Sequence, residues 1–135
     1  MASGIYTAFK SNLFKRLHNL NNTDTIKVAL YGASFAFTAS QTIYSANFEI
    51  AGTGGYTTGG NNMANTAISN NGTNAVFDAD DQAWAAATFS TYFAVLYDVT
   101  PCNTLICAID FGGVQTVTAG TFTIQFASSG IVILI

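Results

Sequence analysis

From Thr25 onward the apolar residues stop recurring every three or four positions and begin to alternate, with turn signals roughly every ten residues. A period of two sends successive side chains to opposite faces, so this stretch reads as short, half-buried strands. Ile26–Tyr31 is a strand by β-branching and alternation. Residues 33–41 are ambiguous, and 42–50 form a short strand at most. Residues 63–69 and 75–78 read as two strands joined by the turn Asn70, Asn71, Gly72, Thr73, because Asn-Gly favours positive φ. The best strand is 89–98, with Phe89, Thr91, Phe93, Val95 and Tyr97 on one face and Ser90, Tyr92, Ala94 and Leu96 on the other. After Pro101 the chain returns at 105–111 and stops at Gly112-Gly113. Residues 121–126 and 130–135 make a last pair, the apolar run 131–135 being a strand buried on both faces. The expected fold is mainly β: an antiparallel β-sandwich or small barrel of about seven or eight strands in one domain, residues 1–135.

Residues 1–22 are the exception and read as a helical arm. Ile5, Phe9, Leu13, Leu17 and Leu20 recur at steps of four and three, with Lys10, Lys15 and His18 on the other side. Ser3 is the expected N-cap and Asn21-Asn22 the stop, giving sixteen helical residues of about 24 Å. Such a helix either covers its own sheet or docks on a neighbouring subunit. As contact elements the reading selects Phe9, Leu13, Lys15 and Arg16 of the arm, with Tyr56 at the tip of a loop holding five glycines in nine positions, 52–60.

Charge narrows the function. Only 8% of the residues are charged, against about 25% in an average soluble domain. The first 27 residues hold all four cations and one acid, net +3; the other 108 hold six acids and no cation, net −6. A surface this poor in mixed charge suits a protein that works against other protein. Clustered Lys and Arg are missing from the body, so nucleic acid is not an expected partner. No apolar run approaches the ~20 residues of a membrane-spanning helix, and no secretion signal is visible; membrane is not an expected partner either.

Motifs that carry chemistry are sparse. Asp78, Asp80 and Asp81 are the densest acids, and in a strand Asp78 and Asp80 would share a face and could share a hard cation such as Ca²⁺. An EF-hand needs more acids and a Glu at position 12, so the expectation is a solvated turn with Asp81 as a cap and no metal or cofactor. The glycine loop lacks the lysine of a P-loop, since no lysine follows residue 27. His18, the only histidine, reads as an exposed residue beside Lys15 and Arg16, and no catalytic residue is assigned. Trp84 with Phe89 and Tyr92 reads as aromatic core or subunit contact, with a sugar-binding platform of Trp84, Tyr56, Asp78 and Asp80 as the rival. Cys102 and Cys107 read as two reduced thiols.

The order of segments resembles a family of small tailed-bacteriophage virion proteins. The pieces that carry the resemblance are FKSNLFKRL, DTIKVALYG, EIAGTGGYTTGG, AVFDADDQAW, FAVLYD, CAIDFGG and AGTFTIQFASSGIVIL, which together cover most of the chain. The pair Cys102/Cys107 departs from the pattern. The resemblance implies a β-rich, non-enzymatic virion component made in the host cytoplasm. Its expected place is the capsid exterior, as a decoration or cement protein that binds the major capsid protein and its own copies. A tail or neck component is the alternative.

Overall fold

Two long strands, β6 (Gln82–Asp98) and β7 (Thr104–Ile124), form the backbone of the molecule. The computed structural model describes residues 3–100 and 102–135. Near the turn the two strands pair from Asp98 with Thr104 to Phe93 with Asp110, with one shift between Tyr97–Leu105 and Leu96–Cys107 that passes over Ile106. Cys102 and Asn103 take positive φ to reverse the chain. β2 (Ile26–Tyr31) pairs along the other side of β6, from Ile26 with Asp98 to Tyr31 with Phe93. Short strands close the sheet, giving the order β1-β7-β6-β2-β3 with β1 at Gly4–Ile5 and β3 at Asn61–Asn62. β4 (Ala67–Asn71), β5 (Asn74–Asp78) and β8 (Val132–Leu134) form a second antiparallel sheet in that order. The sheets do not close into a barrel.

Alternation in β2 and the inner half of β6 divides the core as period two requires. Val28, Leu30, Ala94, Leu96 and Ile106 share one cluster with Phe9, Phe77 and Val132, which come from the helix and the small sheet. Ala29, Tyr31, Phe93, Val95 and Tyr97 point the other way, beneath Tyr6 and the segment carrying Phe35, Phe37 and Tyr44. Both faces of the main sheet are therefore covered near the turn.

Further out the pairing is irregular. Between Thr91–Gln115 and Phe93–Asp110, five steps along β7 oppose two along β6. Gly112 and Gly113 absorb the surplus at φ 79° and 152°, so the glycine pair bulges the strand instead of ending it. Smaller shifts flank Ala87, with Ala86 and Ala119 in the left-handed region. One result is that Phe89 packs with Trp84 and Phe122, on the opposite side from Phe93.

Several expectations need correction. The helix, α1, spans Thr7–Phe14 only. Ser3 does not cap it: its Oγ accepts the Asp110 amide, and Gly4 and Ile5 pair with β7. At the other end Arg16 turns left-handed at φ 61°, with Arg16 N–H donating to Leu13 O and Leu17 N–H to Asn12 O. This is a Schellman stop with arginine where glycine is usual. It throws Phe14 into solvent, 93% exposed, and lets the chain return so that Leu20 is buried. Residues 42–50 contribute only the isolated bridges Ile43–Thr104 and Tyr31–Glu49. Residues 121–124 belong to β7, and β8 pairs with β5. The apolar run 131–135 is not buried on both faces: Val132 is inside, whereas Ile133, Leu134 and Ile135 are exposed.

An L-residue in the left-handed region costs about 1–2 kcal/mol, partly offset by the greater chain entropy that glycine loses on folding. Arg16→Gly is therefore expected to stabilise the protein by about 0.5–1 kcal/mol and raise Tm by about 2–4 °C in thermal unfolding followed by circular dichroism.

Candidate functional site

Of the expected contact residues, the structure leaves the charged ones outside and takes the aromatic ones in. Lys15 and Arg16 are exposed, as is Lys10. Leu13 is half-buried, and Phe9 is 2% exposed within the core. Tyr56 is also 2% exposed. Its hydroxyl accepts the Leu30 amide at 3.0 Å and donates to Glu49 Oε1. Glu49 also takes the Tyr44 hydroxyl and the Gly59 amide, while the Tyr97 hydroxyl donates to Gly59 O. Burial, reinforced by Glu49, pushes the Tyr97 hydroxyl up to about 12.

The glycine loop is thus an anchored inlay and not a free tip. A Cβ on Gly60 would sit 1.8 Å from Val28 O, and one on Gly54 2.2 Å from Thr88 O. Only glycine allows the loop backbone this close to β2 and the β6 bulge.

The acids at 78–81 do not converge. Asp80 accepts from Asn65 Nδ2, and Asp81 accepts from the Phe126 amide, tying the start of β6 to the chain beyond β7. Asp78 Oδ1 is buried without a partner. Trp84 is 2% exposed and packed among Tyr56, Phe89 and Phe122, so Trp84 and Tyr56 offer no open platform for a sugar. Cys102 is exposed and Cys107 buried, both as free thiols, and burial pushes Cys107 up to about 12.

The buried centre that sequence reasoning missed is His18 with Asp98. The His18 and Asp98 side chains are fully enclosed, with Nδ1 of the imidazole 2.8 Å from Asp98 Oδ2. Asp98 Oδ1 accepts the Thr100 amide and Asp24 Oδ2 accepts the Asn19 amide. Among the described residues, His18, Asp24 and Asp98 are the one trio of His, Cys, Asp or Glu ligand atoms lying within 4.8 Å of one another. These atoms could hold a divalent cation only by giving up the direct His18–Asp98 bond. The arrangement pins the segment after α1 to the end of β6. Eighty positions separate the two residues, and the position of His18 beside Lys15 and Arg16 gives no local hint of burial.

What remains on the outside is a surface with few ions and, along β7, a long open edge. Beyond the Ile43 bridge at Thr104 and its contact with β1 at Cys107 and Ala108, the outer side of β7 has no strand beside it among the described residues. Residues 111–135 contain no charged residue and no proline. Beside this edge runs a groove of about 370 Å³ whose walls include Ile109, Phe111, Phe122, Phe126 and Ile131. Compared with known proteins, the chain matches no family model, no curated sequence and no solved structure.

Removing the imidazole would leave the Asp98 carboxylate enclosed without its partner, so His18→Ala is expected to cost about 3–5 kcal/mol in urea unfolding at neutral pH. Burial holds the Asp98 carboxyl above its ordinary 3.8; the His18 hydrogen bond opposes this and Asp24 adds to it. The folded state then binds this proton more tightly than the unfolded state. The stability Asp98 contributes is present at acid pH and lost as pH rises from its unfolded value through its folded one. Urea midpoints of wild type relative to Asp98→Asn are expected to fall over that interval.

Proposed function

We propose that this chain is a non-enzymatic structural subunit of a virus particle: a decoration protein on the capsid exterior that binds the major capsid protein lattice. The observation that carries the reading is the destination of the charges. Six of the seven acids accept hydrogen bonds from the chain itself: Asp24, Glu49, Asp80, Asp81, Asp98 and Asp110. Of the seven, only Asp80 and Asp81 are exposed. Asp98 is buried and Asp24, Glu49, Asp78 and Asp110 are half-buried, so the few acids are largely engaged with the chain, while Lys10, Lys15 and Arg16 of the arm are exposed. Such a surface loses little by being covered with protein, since burying uncharged area avoids the cost of desolvating ions. The ordered likeness to small tailed-phage virion proteins gives this surface its setting.

The mechanism is repetition. Apolar area removed from water is worth roughly 25 cal/mol per Å², less the cost of ordering. A modest contact is therefore weak once and strong when repeated over a lattice. Lys10, Lys15 and Arg16 project from one end and supply orientation and encounter rate against an acidic partner. Deleting the arm would be a poor test, because Tyr6, Phe9 and Leu20 belong to the core. Substituting Lys10, Lys15 and Arg16 with glutamate leaves those residues in place and is expected to weaken rebinding to stripped particles by about tenfold, more at low salt.

Electron microscopy of purified particles labelled with an antibody to this chain tests the proposal directly. Label over the shell is the expected result. Label confined to the tail or neck moves the protein to that part of the particle, and absence of label from intact particles overturns the reading.

A further inference from the structure

We infer that the pit between α1 and the small sheet binds a small, uncharged apolar molecule through its one hydroxyl group, which donates to Nε2 of His18. The inference goes beyond the structural reading above and does not rest on it. The walls include Phe9 and Leu13 of α1, Leu20 of the returning segment, and Phe77, Val132 and Leu134 of the small sheet, around a volume of about 260 Å³. Phe9, Leu20, Phe77 and Val132 belong to the core, so the floor is firm. Leu134, at the rim, is 46% exposed.

Apolar walls alone would suit any greasy group; His18, which also lines the pit, makes it selective. Its side chain is fully enclosed, and Nδ1 lies 2.8 Å from Asp98 Oδ2. A carboxylate only accepts, so in the neutral imidazole Nδ1 carries the proton and Nε2, on the far side of the ring from Asp98, presents a lone pair. Nε2 is buried and has no hydrogen-bond partner within the chain. Phe9 packs against the imidazole, with ring centroids 5.0 Å apart. An acceptor buried in this way carries a desolvation cost that a donor entering the pit would relieve.

The surroundings of that lone pair select the occupant. A single water needs several polar partners, and the other polar wall is Asn19, whose Oδ1 already accepts the Asn21 amide. A carboxylate or phosphate head would be a further anion beside Asp24 and Asp98, which share with His18 a set of ligand atoms all within 4.8 Å of one another. A hydrocarbon would fill the walls and leave Nε2 without a donor. A neutral hydroxyl meets both demands. An apolar cavity of about 150 Å³ takes benzene and drug-sized pockets begin at about 300 Å³, so this pit suits one ring with a short chain. Side-chain rotamer changes at the walls, the ordinary adjustment on binding, bring the hydroxyl to the enclosed nitrogen.

The test is titration of the full chain with three probes of one shape: para-propylphenol, its methyl ether para-propylanisole, and para-propylbenzoate. Calorimetry reads affinity, and nuclear magnetic resonance reads the His18 ring nitrogens and the backbone amides. The phenol is expected to bind with Kd below about 1 mM, and the ether and the benzoate about tenfold or more weakly than the phenol. The Nε2 resonance and the amides of Leu20, Phe77 and Val132 should shift with the phenol. His18→Asn still offers Asp98 an N–H but lacks Nε2, and should hold the phenol no better than the ether. The wild-type series decides the matter without this variant should it fail to fold. Absence of phenol binding at about 1 mM, equal affinity for phenol and ether, tighter binding of the benzoate, or shifts confined to other parts of the chain each overturns the inference. A dimer in sedimentation velocity that the phenol disperses would show that a second copy fills the pit, and overturns the small-molecule assignment.

Discussion

Pairing between β6 and β7 has to hold a register over strands of 17 and 21 residues, and a slip of one would turn every core side chain toward the wrong face. The inner half is safe because burial constrains it on both sides. Leu96 and Ala94 can only lie toward Phe9 and Phe77, and Val95 and Tyr97 only toward Phe37 and Tyr44. The outer half buries mainly the face of Trp84, Phe89 and Phe122, and all the bulges beyond Phe93 fall there. Three of the four register shifts thus lie where constraint is weaker, and the fourth, between Leu96 and Tyr97, lies in the inner half, where Ile106 and Cys107 both join the cluster of Phe9.

The few acids of this chain work as fasteners of its own backbone and side chains, whether enclosed as Asp98 or exposed as Asp81. Glu49 gathers the Tyr44 and Tyr56 hydroxyls and the Gly59 amide, which fixes the glycine loop. Asp98 holds His18 and the Thr100 amide, while Asp81 holds the Phe126 amide. Each satisfies donors that an irregular segment could not satisfy by pairing as a strand. The same residues explain why the long loops between β2 and β3 and between α1 and β2 stay ordered with little regular structure.

How far the sequence could be read follows from the range of each interaction. β2, the β4–β5 hairpin and the inner half of β6 were legible because alternation and an Asn-Gly turn are local signals. Gly72 sits at φ 63° between Asn71 and Asn74, which pair across the turn. Helix length was not legible: the stripe through Leu17 continues in the sequence, but the bonds of His18 and the burial of Leu20 make the chain turn at Arg16. Gly112-Gly113 has the composition of a strand end and acts as a bulge, because β6 continues alongside and gives the chain a partner. The run 131–135 is apolar enough for a core strand, yet β8 is the edge of a three-stranded sheet and only Val132 reaches the interior. Contact residues were the hardest to read, since Tyr56 in a glycine loop looks the same whether the loop projects or lies flat.

An edge without charge or proline carries a hazard, because unlimited strand addition leads to fibres. In β7 the protection comes from backbone shape. The excursion at Gly112 and Gly113 and the bulge at Ala119 divide the outer strand into short straight stretches, and each bulge adds local twist. Such interruptions leave no long, flat ladder for continuous strand addition. The small sheet offers no continuation, since β4 is polar and β8 only three residues long. Bulges therefore do for this edge what lysines do elsewhere: they interrupt it against strand addition without adding ions to the surface.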